Sequence, residues 1–305
     1  MSTPEASTGP ASSLHLPWSG LLLALAGSIG FSGKAIIVKL AYRHGVDAVT
    51  LIMYRMLFAL PMFLLLAWWA GRGKQALARR DWIAVLGLGF CGYYLASFLD
   101  FIGLQYVSAS LERLILYLSP TLVLALGMVL FKRSASRRQL LALAVSYCGV
   151  LLVFGHEVSL AGTHVALGAA LVFGSTVSYA VYLVYCGEEV KRLGAMRLTG
   201  LATSVACLLC IAQFFLLRPV AAMVVAPQVI WLSVLNATLC TFVPVLLVMM
   251  AIERIGATLS AQTGMIGPLS TIMMGVLILG EPFTAWVAAG TALVLAGIWL
   301  LAKWR

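Results

Sequence analysis

Six ionisable side chains, Lys34, Lys39, Arg55, Asp100, Glu112 and Arg113, stand inside stretches of the chain that are otherwise apolar. In hydrocarbon such a group costs roughly 3 kcal/mol even on insertion scales, so it faces a watered path, a solute or another charge. Lys39 falls near a helix end, where its long side chain can snorkel. The other five share one layer, roughly 6–10 Å from the same end of their helices at 1.5 Å rise per residue. Two chemistries fit this layer. One is a mutually satisfied ion-pair cluster, such as Asp100 or Glu112 with Arg55 or Arg113, that glues helices together. The other is a binding site that lines the path of a small-molecule solute, with an acid holding substrate or a proton. Three bases against two acids leave one cation over. This predicts contact with an anionic group, such as the carboxylate of an amino acid or organic acid, and Lys34 is the foremost candidate for it. Glu112 and Arg113 point about 100° apart on a helix, so one faces the path and the other a neighbouring helix. Their types leave open which.

Further polar candidates for the path are Tyr117, Asn236 and Gln262, the last near Ser260, with Tyr94, Tyr179 and Trp231 behind them. Interhelical hydrogen bonding serves equally well for Ser260 and Gln262. Pro120 and Pro268 each interrupt a helix and free a carbonyl one turn earlier, which makes them kinks or hinges. No catalytic chemistry is expected. The chain has neither HExxH nor GxSxG, and His15, His44, His156 and His164 fall at helix ends or in the tail. Cys207 and Cys210 form a CxxC spacing, but inside an apolar run with no second pair, so they read as small buried hydrophobes. No metal or cofactor is expected, and no GxxxxGK[ST] loop offers ATP drive.

The elements that must position these residues follow from composition. Of the 305 residues, 62% are hydrophobic and only 10% charged, with a mean hydropathy of +1.04. That leaves too little polar surface to cover a globule in water, so the solvent is lipid. A span takes roughly 20 apolar residues. Breaks at charges, Pro and Gly then predict an all-α membrane protein with ten spans, near 17–40, 48–70, 82–104, 107–131, 137–155, 164–187, 198–217, 227–251, 257–279 and 283–302. Residues 1–16, rich in Ser, Thr and Pro, read as a disordered cytosolic tail.

The net charge of +10 signals orientation rather than nucleic acid. With the N-terminus inside, the inner loops hold Arg72, Lys74, Arg79, Arg80, Lys132, Arg133, Arg137, Arg138, Lys191, Arg192, Arg197, Arg254, Lys303 and Arg305. The outer loops hold only Arg43 and Arg218. Both termini are therefore expected in the cytoplasm. Glu188 and Glu189, beside Lys191 and Arg192, read as a solvated cluster at the inner interface.

A shift of 148 residues carries Pro120 onto Pro268, Gly127 onto Gly275, Gly149 onto Gly297 and Ala109 onto Ala257. Five spans per copy is an odd number, so the second copy runs the opposite way through the membrane. The predicted units are 17–155 and 164–302. Inverted repeats recur in secondary transporters, with the solute site near the midplane between halves.

The residues around these prolines resemble a known family. Gly103-Leu104-Gln105-Tyr106-Val107-Ser108-Ala109-Ser110, leading to Pro120, is similar to the middle of EamA-type proteins of the drug/metabolite transporter superfamily. So is Ala251-Ile252-Glu253-Arg254-Ile255-Gly256-Ala257, leading to Pro268. Leu279-Gly280-Glu281-Pro282-Phe283-Thr284 resembles the Gly-Glu-Pro turn between the last two helices of that family, whereas the first copy departs from it with Arg133-Ser134. The resemblance implies a secondary transporter, expected to export small metabolites such as amino acids across the bacterial inner membrane by alternating access. A passive channel or scramblase is the alternative, and an intramembrane enzyme a more distant one. Coupling stays open between uniport and proton exchange through Asp100 or Glu112. A monomer and a homodimer both fit.

Overall fold

The computed structural model describes residues 18–132, 136–161 and 163–303. Among them every regular element is helical. This is the economical answer to lipid, where each backbone N–H and C=O must find its partner within the segment. The crossings are α1 (Trp18–Tyr42), α2 (Ala48–Gly71), α3 (Arg79–Gly103), α4 (Ala109–Leu130), α5 (Arg137–Ser159), α6 (His164–Gly187), α7 (Ala195–Leu217), α8 (Pro227–Gly256), α9 (Gly264–Leu279) and α10 (Ala285–Lys303). Nine of these are long and apolar enough to cross as continuous helices, and α9 is the shorter one. Its crossing starts earlier, at 257–263, after the chain leaves helical geometry at Gly256 (φ 77°, ψ 161°). A left-handed φ costs glycine nothing that a side chain would have to bear. The ten expected spans are thus present, one of them broken. The expected tail, the Arg133-Ser134 turn and Arg305 lie outside the described residues.

The direction of the repeat is visible in packing. The helices α5 and α10 are the fifth of each half. A Cβ on Gly149 would sit 2.6 Å from the Gly290 carbonyl oxygen, and one on Gly297 would sit 2.7 Å from the Ala142 carbonyl oxygen. Residue 142 against 297 and 149 against 290 is the register of antiparallel helices, and the 148-residue shift converts one contact into the other. The second helices of each half agree. Met56 of α2 meets Cys207 of α7 at 3.6 Å, while Ala67, further along α2, packs on Gly200, earlier in α7. Corresponding helices therefore run in opposite directions, and the halves are inverted copies. Across the halves α1 packs on α8 as α6 packs on α3. Small residues let these backbones approach where lipid offers no hydrophobic drive.

The shift also superposes two features that no residue pattern announces. The helices α3 and α8 each carry a π-bulge, at Phe90–Leu95 and Thr238–Phe242. Such bulges are frequent where a helix serves a site.

Both prolines stand differently from the expectation. They occupy the first turn of new helical stretches beginning at Ser119 and Gly267, after breaks at 117–118 and 264–266. The missing proline N–H is harmless there. The carbonyls one turn earlier are still satisfied by hydroxyls. Ser119 Oγ donates to the Leu116 oxygen at 2.5 Å, and the Tyr117 hydroxyl donates across the repeat boundary to the Gly264 oxygen at 2.7 Å.

Candidate functional site

The layer of charges is real and sits where α1, α2, α3, α4, α8 and α9 meet. Lys34 of α1 places its Nζ 2.6 Å from Asp100 Oδ2 of α3 and 3.1 Å from Glu112 Oε1 of α4. One cation bridges two carboxylates, and three helices are drawn to a single nitrogen. The acids are sealed, with 3% and 0% of their side chains exposed, whereas Lys34 keeps 17%. The lysine is therefore the member of the triad with an exposed edge.

The expectation that Lys34 is the uncompensated cation is reversed. The two arginines lack an acidic partner among the described residues. Arg55, 7% exposed, donates from Nε and Nη2 to Thr241 Oγ1 at 3.2 and 3.1 Å. Its guanidinium also lies over the Phe101 ring, 5.2 Å from the centroid. Thr241 lies within the α8 π-bulge and sends its own proton to the Asn236 carbonyl at 2.8 Å, leaving its lone pairs to the arginine. Arg113, 8% exposed, donates from Nε to Thr271 Oγ1 at 2.8 Å and from Nη2 to the Phe31 carbonyl at 2.9 Å. Glu112 thus turns to the lysine triad and Arg113 to α1 and α9. Asp100 and Phe101 are neighbours in sequence, so the Arg55 guanidinium and the lysine triad adjoin through α3.

A buried guanidinium held only by neutral acceptors is costly, because dipoles offset less of its desolvation than a carboxylate does. Among the described residues the layer also contains buried polar atoms with no hydrogen-bond partner: Arg55 Nη1, Asp100 Oδ1, Glu112 Oε2 and Asn236 Oδ1. Both donor and acceptor capacity remain in one region, which is unusual for a purely structural core.

The remaining candidates divide. Tyr117 belongs to the same crossing, with its hydroxyl on α9. Ser32 joins it by donating to the Gly267 carbonyl at 2.9 Å. Asn236 is buried beside Thr241. The side chain of Gln262 lies outside the described residues. Trp231 is 69% exposed and faces away from the bundle. Tyr179 stacks on Tyr182 rather than on the charged layer. At the opposite end of the bundle Arg192 pairs with Glu189 and with Asp81.

Sequence reasoning missed Thr241, Thr271 and Ser32. Each is a small hydroxyl in an apolar helix, a residue type found throughout membrane bundles, and only its distant partner distinguishes it. It also missed Glu157, because α5 runs to Ser159 rather than ending at 155.

An all-helical inverted repeat of ten crossings is an architecture that recurs in membrane transporters. The sequence model of the EamA-like transporter family matches residues 18–155 and 166–303, and the chain belongs to that family. It is 30% identical to the uncharacterized transporter YcbK of Bacillus subtilis over 86% of either chain. It is 25% identical to an uncharacterized transporter of Archaeoglobus fulgidus, over 92% of this chain and 96% of that one. A solved crystal structure with 19% identity and a TM-score of 0.57, covering 93% of this chain and 96% of its own, shares the fold. The protein is a multi-pass membrane transporter.

Proposed function

We propose that the protein is a secondary carrier that exports small carboxylate-bearing metabolites, foremost amino acids, across the bacterial inner membrane by alternating access between its two repeats. The observation that carries this reading is the division of charge: Arg55 and Arg113 are buried on neutral partners, while Lys34 is shared by two acids. A solute carboxylate supplies the anion that the guanidiniums lack, in the planar geometry they match. A solute ammonium finds acceptor capacity on Asp100 and Glu112. The basic residues of the loops that lead from even-numbered to odd-numbered crossings support cytoplasmic termini, and export is the direction that the family resemblance supports.

Counterflow in proteoliposomes tests it. Vesicles preloaded with one unlabelled amino acid should transiently accumulate the labelled form, with saturation. Arg113→Gln should abolish this for amino acids while leaving the protein folded by size-exclusion chromatography. Flux that rises linearly with concentration and never accumulates would make the protein a channel. No accumulation across a full panel of amino acids and organic acids would refute the substrate class.

A further inference from the structure

The first turn of α4 has four backbone N–H groups with no helical partner, and their acceptors come from elsewhere in the chain. Ala109 N donates to Glu281 Oε1 at 2.7 Å, while Ser110 donates to Glu281 Oε2 from its N at 3.3 Å and its Oγ at 3.0 Å. Ser108 donates from its N to Glu157 Oε2 at 3.3 Å and from its hydroxyl to the same carboxylate. Ser108 Oγ in turn accepts from Leu111 N at 3.0 Å. Two carboxylates thus meet the positive end of one helix, a favourable arrangement, and both are supplied by other elements. Glu157 belongs to α5. Glu281 belongs to the α9–α10 turn, which is part of the opposite repeat, so its bonds hold the halves together at this end. Arg43 Nη2 adds a bond from the α1–α2 turn to the Leu279 carbonyl at 2.7 Å. An open pocket of about 500 Å³, with Lys39, Tyr42, Arg43, Gln105 and Glu281 on its wall, brings solvent to this closure.

Neither acid recurs under the repeat. The 148-residue shift carries Glu281 back onto Arg133 and Glu157 forward onto Arg305. Both acids are bases in the related positions, and a guanidinium has no lone pair to offer an N–H. The 148-residue shift therefore does not reproduce these two carboxylates at the related positions.

We propose that Glu281, seconded by Glu157, is the latch that shuts the α9–α10 face between the repeats, and that transport requires its release. The closed face is stabilised by charge-assisted hydrogen bonds to the first turn of α4, while the other end is joined across the repeats by a different pair, Arg192 with Asp81. Glu281 acts as a positioning residue and touches no solute. The proposal rests on the alternating-access reading, but its test reads conformation rather than flux, so the two fail separately.

Hydrogen–deuterium exchange on the full-length protein in nanodiscs, wild type against Glu281→Gln, provides that test. The variant keeps the shape and one acceptor oxygen but loses the charge. Release of the latch should speed exchange at 105–112 and 279–284 by about tenfold, the equivalent of one charge-assisted bond. Exchange at 122–131 and 187–197, at the other end, should slow in the same sample, because the carrier closes there when it opens here. A rise confined to Ala109 and Ser110 would mean a simple lost cap and overturn the proposal. Faster exchange at both ends would mean loosening, and no change would mean no latch; either refutes it. If Glu281→Gln does not fold, Ser110→Ala, which removes one of the donors to Glu281, is read by the same criteria.

Discussion

Removing the charge of Lys34 separates its bridging role from an ordinary ion pair. Asp100 and Glu112 are 2% and 0% exposed, and both lie within 3.1 Å of the same Nζ. In Lys34→Met two buried carboxylates lose their common cation at once. Breaking a buried pair from one side costs roughly 3–5 kcal/mol, because the stranded charge keeps its desolvation penalty and loses its compensation. The reciprocal changes are milder. Asp100→Asn leaves Lys34 on Glu112, and Glu112→Gln leaves it on Asp100, so each should cost about 1–2 kcal/mol, the scale of one hydrogen bond to a charged group. Combining Lys34→Met, Asp100→Asn and Glu112→Gln in one triple variant removes all three charges and should recover most of the loss. Thermal unfolding in detergent, followed by tryptophan fluorescence, should show the single Lys34 variant falling by on the order of 10 °C and the triple variant returning most of the way. Equal losses for all three single variants, or no recovery in the triple, would refute the bridge.

Tyr117→Phe deletes the hydroxyl that bonds the Gly264 carbonyl, which keeps the Gly267 N–H as a donor, and should cost about 1 kcal/mol, the scale of one hydrogen bond, with faster amide exchange localised to 261–268. Asp47 caps α2 by accepting from Val49 N and Thr50 N at 3.0 and 3.2 Å, and pairs with Arg218 at 3.1 Å. Burial pushes its carboxyl up, but the hydrogen bonds from Thr50 and the Arg218 charge outweigh this and hold it below the usual carboxylate value. A depressed folded-state value stabilises above the unfolded value of about 3.9 and is lost as pH falls through the folded one. Asp47→Ala should therefore cost about 1 kcal/mol at neutral pH and nothing at the acid end, seen as convergence of the two melting curves between about pH 5 and pH 2.

How far the chain discloses itself differs between its parts. Ten crossings and their inversion follow from apolar run lengths, loop charge and the shift that pairs Pro120 with Pro268, because lipid punishes every exposed backbone dipole and so makes span lengths legible in the residues. The buried charges are legible for the same reason, since Lys34, Arg55, Asp100, Glu112 and Arg113 have no cheap alternative to clustering. Their pairing was not legible. Counting three bases and two acids found the surplus cation but misassigned it to Lys34. Which base meets the acids depends on how α1, α3 and α4 are rotated about their axes, and their apolar faces constrain that rotation only weakly when every face is apolar. Likewise Glu281 reads as part of a Gly-Glu-Pro turn, and nothing local says that its carboxylate ends on Ala109 and Ser110, 172 and 171 residues away. The sequence by itself determined the number of crossings, their inversion and the depth of the charges. Only the tertiary structure decided which arginines go without an acid and which turn clasps the opposite repeat, because those outcomes depend on contacts between helices that the chain brings together from distant positions.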